Sequence, residues 1–194
     1  PSGTPFNRLA VMLEQQGVVE RSLWLKLYGR LNPRMSRIKA GEYELAPGMT
    51  VLGLIGAMVR GDVKHWSIQF IEGWTFKDMR AALARAERLR KTTTDWTDEQ
   101  VMAALGAAGE HPEGRFFPDT YLFTSADSDL DLLRRAYTRM ESVLAEEWAN
   151  RKDGLPYETP YEALIMASIV ERETGVPEER DEVAGVFVRR LQKG

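Results

Sequence analysis

One pattern occurs three times in the chain, and it constrains the fold more than any other feature. GTPFNRLAVML (3–13), GMTVLGLIGAM (48–58) and GWTFKDMRAAL (73–83) each set apolar residues three, six and ten positions after a glycine. The apolar positions are Phe6, Leu9 and Leu13; Val51, Leu54 and Met58; Phe76, Met79 and Leu83. Spacings of three and four trace one stripe of a helix. Thr4, Thr50 and Thr75 stand beside the expected starts, and Thr50 and Thr75 are the better N-cap candidates. Each unit reads as a strand end, a glycine turn and an amphipathic helix. The repeat is either a device for launching short helices or part of a module that grips an extended glycan.

Alternating segments fit between these helices. Gly41–Leu45 puts Tyr43 and Leu45 on one face, and His65–Ile71 puts Trp66, Ile68 and Phe70 on one face. A further helix is expected over Arg21–Leu31. From Thr75 onward the pattern is mainly helical, with helices expected over about 75–91, 98–108, 129–150 and 159–174, and another from Pro177. The fold class is therefore α+β: a small N-terminal α/β module followed by a mainly helical domain.

The chain's 26 basic and 29 acidic residues give a net charge of −3, which lacks the basic excess of a nucleic-acid binder. Cysteine is absent, so disulfides and thiolate metal sites are excluded. His65 and His111 stand apart and form no zinc motif or Ser-His-Asp pattern, so no metal is expected. No run of about 18 apolar residues spans a membrane. The abrupt Pro1-Ser2-Gly3 start and the Lys193-Gly194 end read as a trimmed fragment.

Two segments concentrate chemistry. In ALIMASIVERETG (163–175) an apolar helix, expected to be buried, runs straight into Glu171 and Glu173. Ser168 and Ala167 lie one turn before Glu171, small enough for a ligand or another group to approach it. Gly175 reads as the helix stop. One reading is an ion pair of Glu171 or Glu173 with Arg172, Arg180 or Arg189. The other is a general acid, held protonated by burial. In EGRFFPDTY (113–121), two acids, an arginine and three aromatics share a loop fixed by glycine and proline. That composition suits a sugar site, or a tight loop anchored by Phe117 and Tyr121.

Taken in order, Glu72-Gly73-Trp74-Thr75, EGRFFPDTYLF (113–123), ASIVERETG (167–175) and ERDEVAGVFVRRLQKG (179–194) resemble the YceG-like (MltG) endolytic murein transglycosylases over essentially the whole chain. The resemblance implies a bacterial inner-membrane protein with a single N-terminal membrane helix, here outside the chain, and a periplasmic catalytic region. It implies a LysM-like glycan-binding module over 1–71 and a catalytic domain over 72–194. The family continues past LQKG into a segment resembling LQ-(S/T)-DPT that lines the active site, so the catalytic domain is expected to be C-terminally truncated. The family also often has proline where this chain has Ile71.

The implied activity is cleavage of nascent peptidoglycan between N-acetylmuramic acid and N-acetylglucosamine, leaving a 1,6-anhydro end. The glutamate closing the ASIVE motif, Glu171, would be the catalytic residue, acting as acid and then base without a cofactor. Glu113, Phe117, Asp119, Tyr121, Ser168 and Glu173 are the candidates for binding the glycan strand. Peptidoglycan synthases and division proteins are the implied partners. Two alternatives stand beside this. A non-catalytic peptidoglycan-binding or division scaffold would not need a protonatable Glu171. A conventional hydrolase would need a second carboxylate, Glu113 or Asp119.

Overall fold

The computed structural model describes residues 4–193. The chain divides into two compact units. The first holds the chain up to Ile68, with Ala86–Lys91 and Tyr121–Ser128. The second holds Gln69–Arg85, Thr92–Thr120 and the chain from Asp129 onward.

In the first unit, α1 (Phe6–Gln15), α2 (Ser22–Leu31) and α3 (Val51–Arg60) surround one apolar cluster. Phe6, Ala10, Leu13, Leu25, Leu54 and Ile55 form its buried centre. All three repeat positions on each of α1 and α3 are buried in this cluster or pack against it. Thr50 caps α3 by accepting the Gly53 N–H at 3.1 Å. The glycine turn before it is present, with Gly48 at φ 81°, a backbone conformation that a side chain would strain. Gly3, the glycine of the first repeat, lies outside the described residues.

The strand expected over Gly41–Leu45 does not form. Lys64 N–H donates to the Glu42 carbonyl, but this bond is not continued into a ladder. Tyr43 instead turns its hydroxyl to the carbonyls of Lys39 and Met58. The second alternating segment does form a strand, β1 (Trp66–Gln69), with Phe70 buried just beyond it. Its partner, β2 (Thr120–Phe123), was not anticipated. Phe70 N–H donates to the Asp119 carbonyl, and the Trp66 and Phe123 rings lie 6.2 Å apart. The two strands therefore run antiparallel.

In the second unit, α4 (Phe76–Arg85), α5 (Asp98–Leu105) and α6 (Asp129–Ala149) carry the core. Phe76, Met79 and Leu83 are buried, as the repeat predicts, with Val101, Met102, Leu132, Leu133 and Ala136. Each of these apart from Ala136 contributes roughly 1.5–3 kcal/mol. The helix expected to run to Lys91 stops at Arg85. Beyond it Arg90 N–H donates to the Asp127 carbonyl and residue 90 bridges Ser128, so the backbone there is extended. Arg80 holds the following loop, donating to Asp98 and to the carbonyls of Thr93 and Trp96.

Two more helices complete this unit. α7 (Pro160–Glu173) opens with a capping box between Thr159 and Glu162. It is followed by a 3-10 turn (Pro177–Glu179) and α8 (Arg180–Lys193).

Candidate functional site

The expectation of a buried α7 is not met. Val170 is its buried residue, while Ile165 and Ile169 are exposed. α6 and α8 pack on part of the helix. Much of the remainder forms one wall of an open cleft of about 470 Å³, all of it within the second unit.

Three segments, with Met140 of α6, build this cleft. The first is the turn and start of α4, which contribute Gly73, Trp74, Thr75, Phe76 and Met79. Gly73, the turn glycine of the third repeat, has φ 79°. Thr75 accepts the Asp78 N–H at 3.2 Å, and Asp78 accepts the Thr75 N–H at 3.0 Å, a reciprocal cap that starts the helix. The Thr75 hydroxyl also donates to the Asp78 carboxylate, and this bond together with the Thr75 N–H holds the carboxyl below its ordinary pKa. The second segment is the 112–118 loop, with Glu113, Gly114 and Phe116. The third is α7, with Tyr161, Leu164, Ile165, Ser168, Glu171 and Arg172 at successive turns.

Glu113 ties the three together. Its carboxylate accepts the Phe76 N–H through both oxygens, at 3.2 and 3.1 Å, at the positive end of α4. Its backbone carbonyl accepts the Tyr161 hydroxyl at 3.1 Å, which locates α7. Arg115 strengthens the same corner. Its guanidinium lies 4.0 Å from the centre of the Tyr161 ring and pairs with Glu110 at 3.1 Å and Glu141 at 3.4 Å. Phe116 stacks on Phe76 with ring centres 4.8 Å apart.

Glu171 stands on the last turn of α7 with its side chain 59% exposed. Arg180, at the start of α8, donates to both carboxylate oxygens, at 3.1 and 2.8 Å. The ion pair weighed from the sequence is thus present, and the burial expected to keep this carboxyl protonated is not. The cause is the orientation of the last turn, which buries Val170 and leaves Glu171, Arg172 and Glu173 exposed. Gly175 does not supply the helix stop, since its φ is not positive. Thr174 ends the helix in an extended conformation; its hydroxyl donates to Glu179 and accepts the Val176 N–H.

Of the residues singled out from sequence, Glu113, Ser168 and Glu171 line the cleft. The Ser168 hydroxyl donates back to the Ile165 carbonyl at 2.7 Å. Phe117, Asp119, Tyr121 and Glu173 are not among the lining residues. Phe117 N–H donates to the Ala136 carbonyl, and its ring lies 5.4 Å from the Arg139 guanidinium. Asp119 accepts the Thr120 N–H at 2.6 Å. Tyr121 is buried on β2 in the first unit, and Glu173 is exposed. Trp74 and Tyr161 were not singled out as site residues. The only signal for Trp74 was its place in the Glu72–Thr75 motif, and Tyr161 had none. Among the described residues no cluster of three or more His, Asp or Glu is placed to hold a metal ion.

The model of the YceG-like family matches residues 1–194. The chain belongs to the YceG-like family. The endolytic murein transglycosylase of Bacillus subtilis (strain 168) is 24% identical, over all of this chain and 58% of that protein. The endolytic murein transglycosylase of Streptococcus pneumoniae serotype 2 is also 24% identical, over all of this chain and 40% of that protein. The chain thus spans about half the length of these curated relatives. A YceG-like protein of Listeria monocytogenes, solved by crystallography, superposes with a TM-score of 0.48 at 22% identity, covering 100% of this chain and 69% of that one.

Proposed function

We propose that this chain belongs to a murein lytic transglycosylase that cleaves glycan strands internally, with Glu171 as its catalytic residue. The names of the relatives support the activity class. The observation that carries the reading is the position of Glu171 in the lining of a cleft whose walls come from the three motif segments.

The chemistry asks one carboxyl to act twice. Protonated Glu171 gives its proton to the glycosidic oxygen as the bond from C1 of N-acetylmuramic acid breaks, releasing the 4-hydroxyl of N-acetylglucosamine. The carboxylate then takes the proton of the muramic acid C6 hydroxyl as that oxygen bonds to C1. The product is a 1,6-anhydro end, no water is consumed, and the carboxyl returns protonated. The first step requires Glu171 to be protonated and released from Arg180. Glu113 serves the cleft through the Phe76 and Tyr161 bonds rather than through a reacting atom. Phe117, Asp119, Ser168 and Glu173 remain proposed glycan contacts.

The wider assignment follows the same reading: residues 1–71 as a LysM-like glycan-binding module, 72–194 as the catalytic domain, and a single membrane anchor elsewhere in the native polypeptide. That places the region in the periplasm beside peptidoglycan synthases and division proteins. A second reading, a non-catalytic glycan-binding scaffold, is favoured by one observation, the exposed Glu171–Arg180 pair. Mass spectrometry of products from purified glycan strands separates the two. The native polypeptide carrying this chain should yield anhydro-ended fragments and its Glu171→Gln variant none. Hydrated ends would point to a hydrolase, and binding without cleavage would point to the scaffold.

A further inference from the structure

α2 faces the core with one side and leaves an apolar stripe on the other. Ser22, Leu25 and Gly29 are its buried residues. Leu23, Trp24, Leu27 and Leu31 are 47–73% exposed. At about 100° per residue these four point away from the core, roughly opposite Leu25 and Gly29. A helix of a small unit normally turns charged residues outward there. The apolar surface continues past Trp24 into a shallow groove that reaches Val51 and the exposed Leu52.

Charge decides what would cover this face. The whole chain is acidic, yet residues 4–40 hold seven basic and two acidic side chains. Lys26 and Arg30 follow one flank of the stripe, and Arg21 stands at the start of the helix beside the groove, next to Glu20. A second copy docking on the same face would bring like charges together. Anionic phosphate headgroups would meet them with the opposite sign while the stripe entered the acyl boundary. Leucines and a tryptophan between basic flanks are the composition of a helix that lies in a membrane interface. No described helix is long and apolar enough to cross a membrane, and the ten residues of α2 suit lying on one.

We infer that α2 is a membrane-surface helix that binds anionic phospholipid bilayers through Leu23, Trp24, Leu27 and Leu31, flanked by Lys26 and Arg30. The inference does not depend on the reaction proposed above. The test is co-flotation of the chain with phosphatidylcholine vesicles, with and without phosphatidylglycerol. Binding is expected to the anionic vesicles and to weaken with salt. Lys26→Gln with Arg30→Gln should weaken it about thirtyfold, at about fivefold per basic side chain. Leu27→Glu should abolish it. Both variants change exposed side chains, and circular dichroism checks that they fold. Three results would overturn the inference: no flotation with either vesicle, flotation that both variants leave unchanged, or a concentration-dependent dimer that Leu27→Glu dissolves in a chain that does not float.

Discussion

Asp129→Asn is the substitution whose cost the structure fixes most tightly. Asp129 is 4% exposed at the start of α6. One of its oxygens accepts the Thr92 N–H at 2.9 Å, the Thr92 hydroxyl and the Leu130 N–H. The other accepts the Thr93 N–H at 3.0 Å and the Thr93 hydroxyl at 2.9 Å. Burial alone would raise this carboxyl's pKa, but the bonds from Thr92 and Thr93 outweigh it and hold it below the ordinary value. Asparagine puts an NH2 donor where one of these oxygens accepts. At least one buried backbone N–H then faces a donor, which costs about 1–3 kcal/mol, and the remaining bonds lose their charge. The expected loss is about 3 kcal/mol. With roughly 2–4 °C per kcal/mol for a chain of this size, the melting temperature should fall by about 6–12 °C.

The sign with pH is also fixed. A carboxyl whose folded pKa lies below the unfolded value, about 3.9, stabilises fully above that value and loses its contribution as pH falls through the folded pKa. The gap between native protein and variant should therefore be widest near neutrality and close in acid. Urea unfolding followed by circular dichroism at several pH values measures it. A variant within about 0.5 kcal/mol of the native protein at neutral pH, or a gap independent of pH, would refute the account.

Other expectations are as direct. Arg115→Met removes two ion pairs and the contact over Tyr161; it should cost about 1–2 kcal/mol in urea unfolding and also reduce glycan cleavage, because Tyr161 positions α7. In Gly29→Ala the new Cβ would stand 2.5 Å from the Phe6 ring; it should destabilise the chain by about 1–3 kcal/mol in thermal melts, outweighing the gain of about 1 kcal/mol in helix propensity. Trp74→Ala, at the cleft wall, should weaken glycan binding by roughly 1–3 kcal/mol in calorimetry, the range for a stacked ring, and leave thermal stability nearly unchanged.

Local chemistry was legible wherever a side chain acts on its own neighbourhood. Thr50 and Thr75 cap the helices they were expected to start, and the buried stripe of α4 is the one its spacing predicts. What the sequence hid depends on distant partners. β2 exists because β1 pairs with it, and Tyr121 and Phe123 alternate over only four residues. The end of α4 is set by a bridge to Ser128 thirty-eight positions away from residue 90. The apolar run of α7 reads as buried because periodicity cannot distinguish a face that packs from a face that walls an open cleft. Arg180 was visible as one of several possible partners for Glu171; choosing it required the turn after Thr174, whose hydroxyl reaches Glu179.

The manner in which α7 is held makes it a lever. Its first turn is fastened by the Thr159–Glu162 capping box and by Tyr161 on the Glu113 carbonyl, and its far end rests on buried Val170 and the Glu171–Arg180 pair. Glu171 rides ten residues further on, about 15 Å along the axis at 1.5 Å per residue. A tilt of about 5° at the fastened end would swing its carboxyl by more than about 1 Å, a displacement large enough to change a reaction rate by orders of magnitude. Any force that loosens Tyr161 is therefore magnified at Glu171. The rate of such a catalyst could be set from the base of the helix without a single atom of the reacting end being altered.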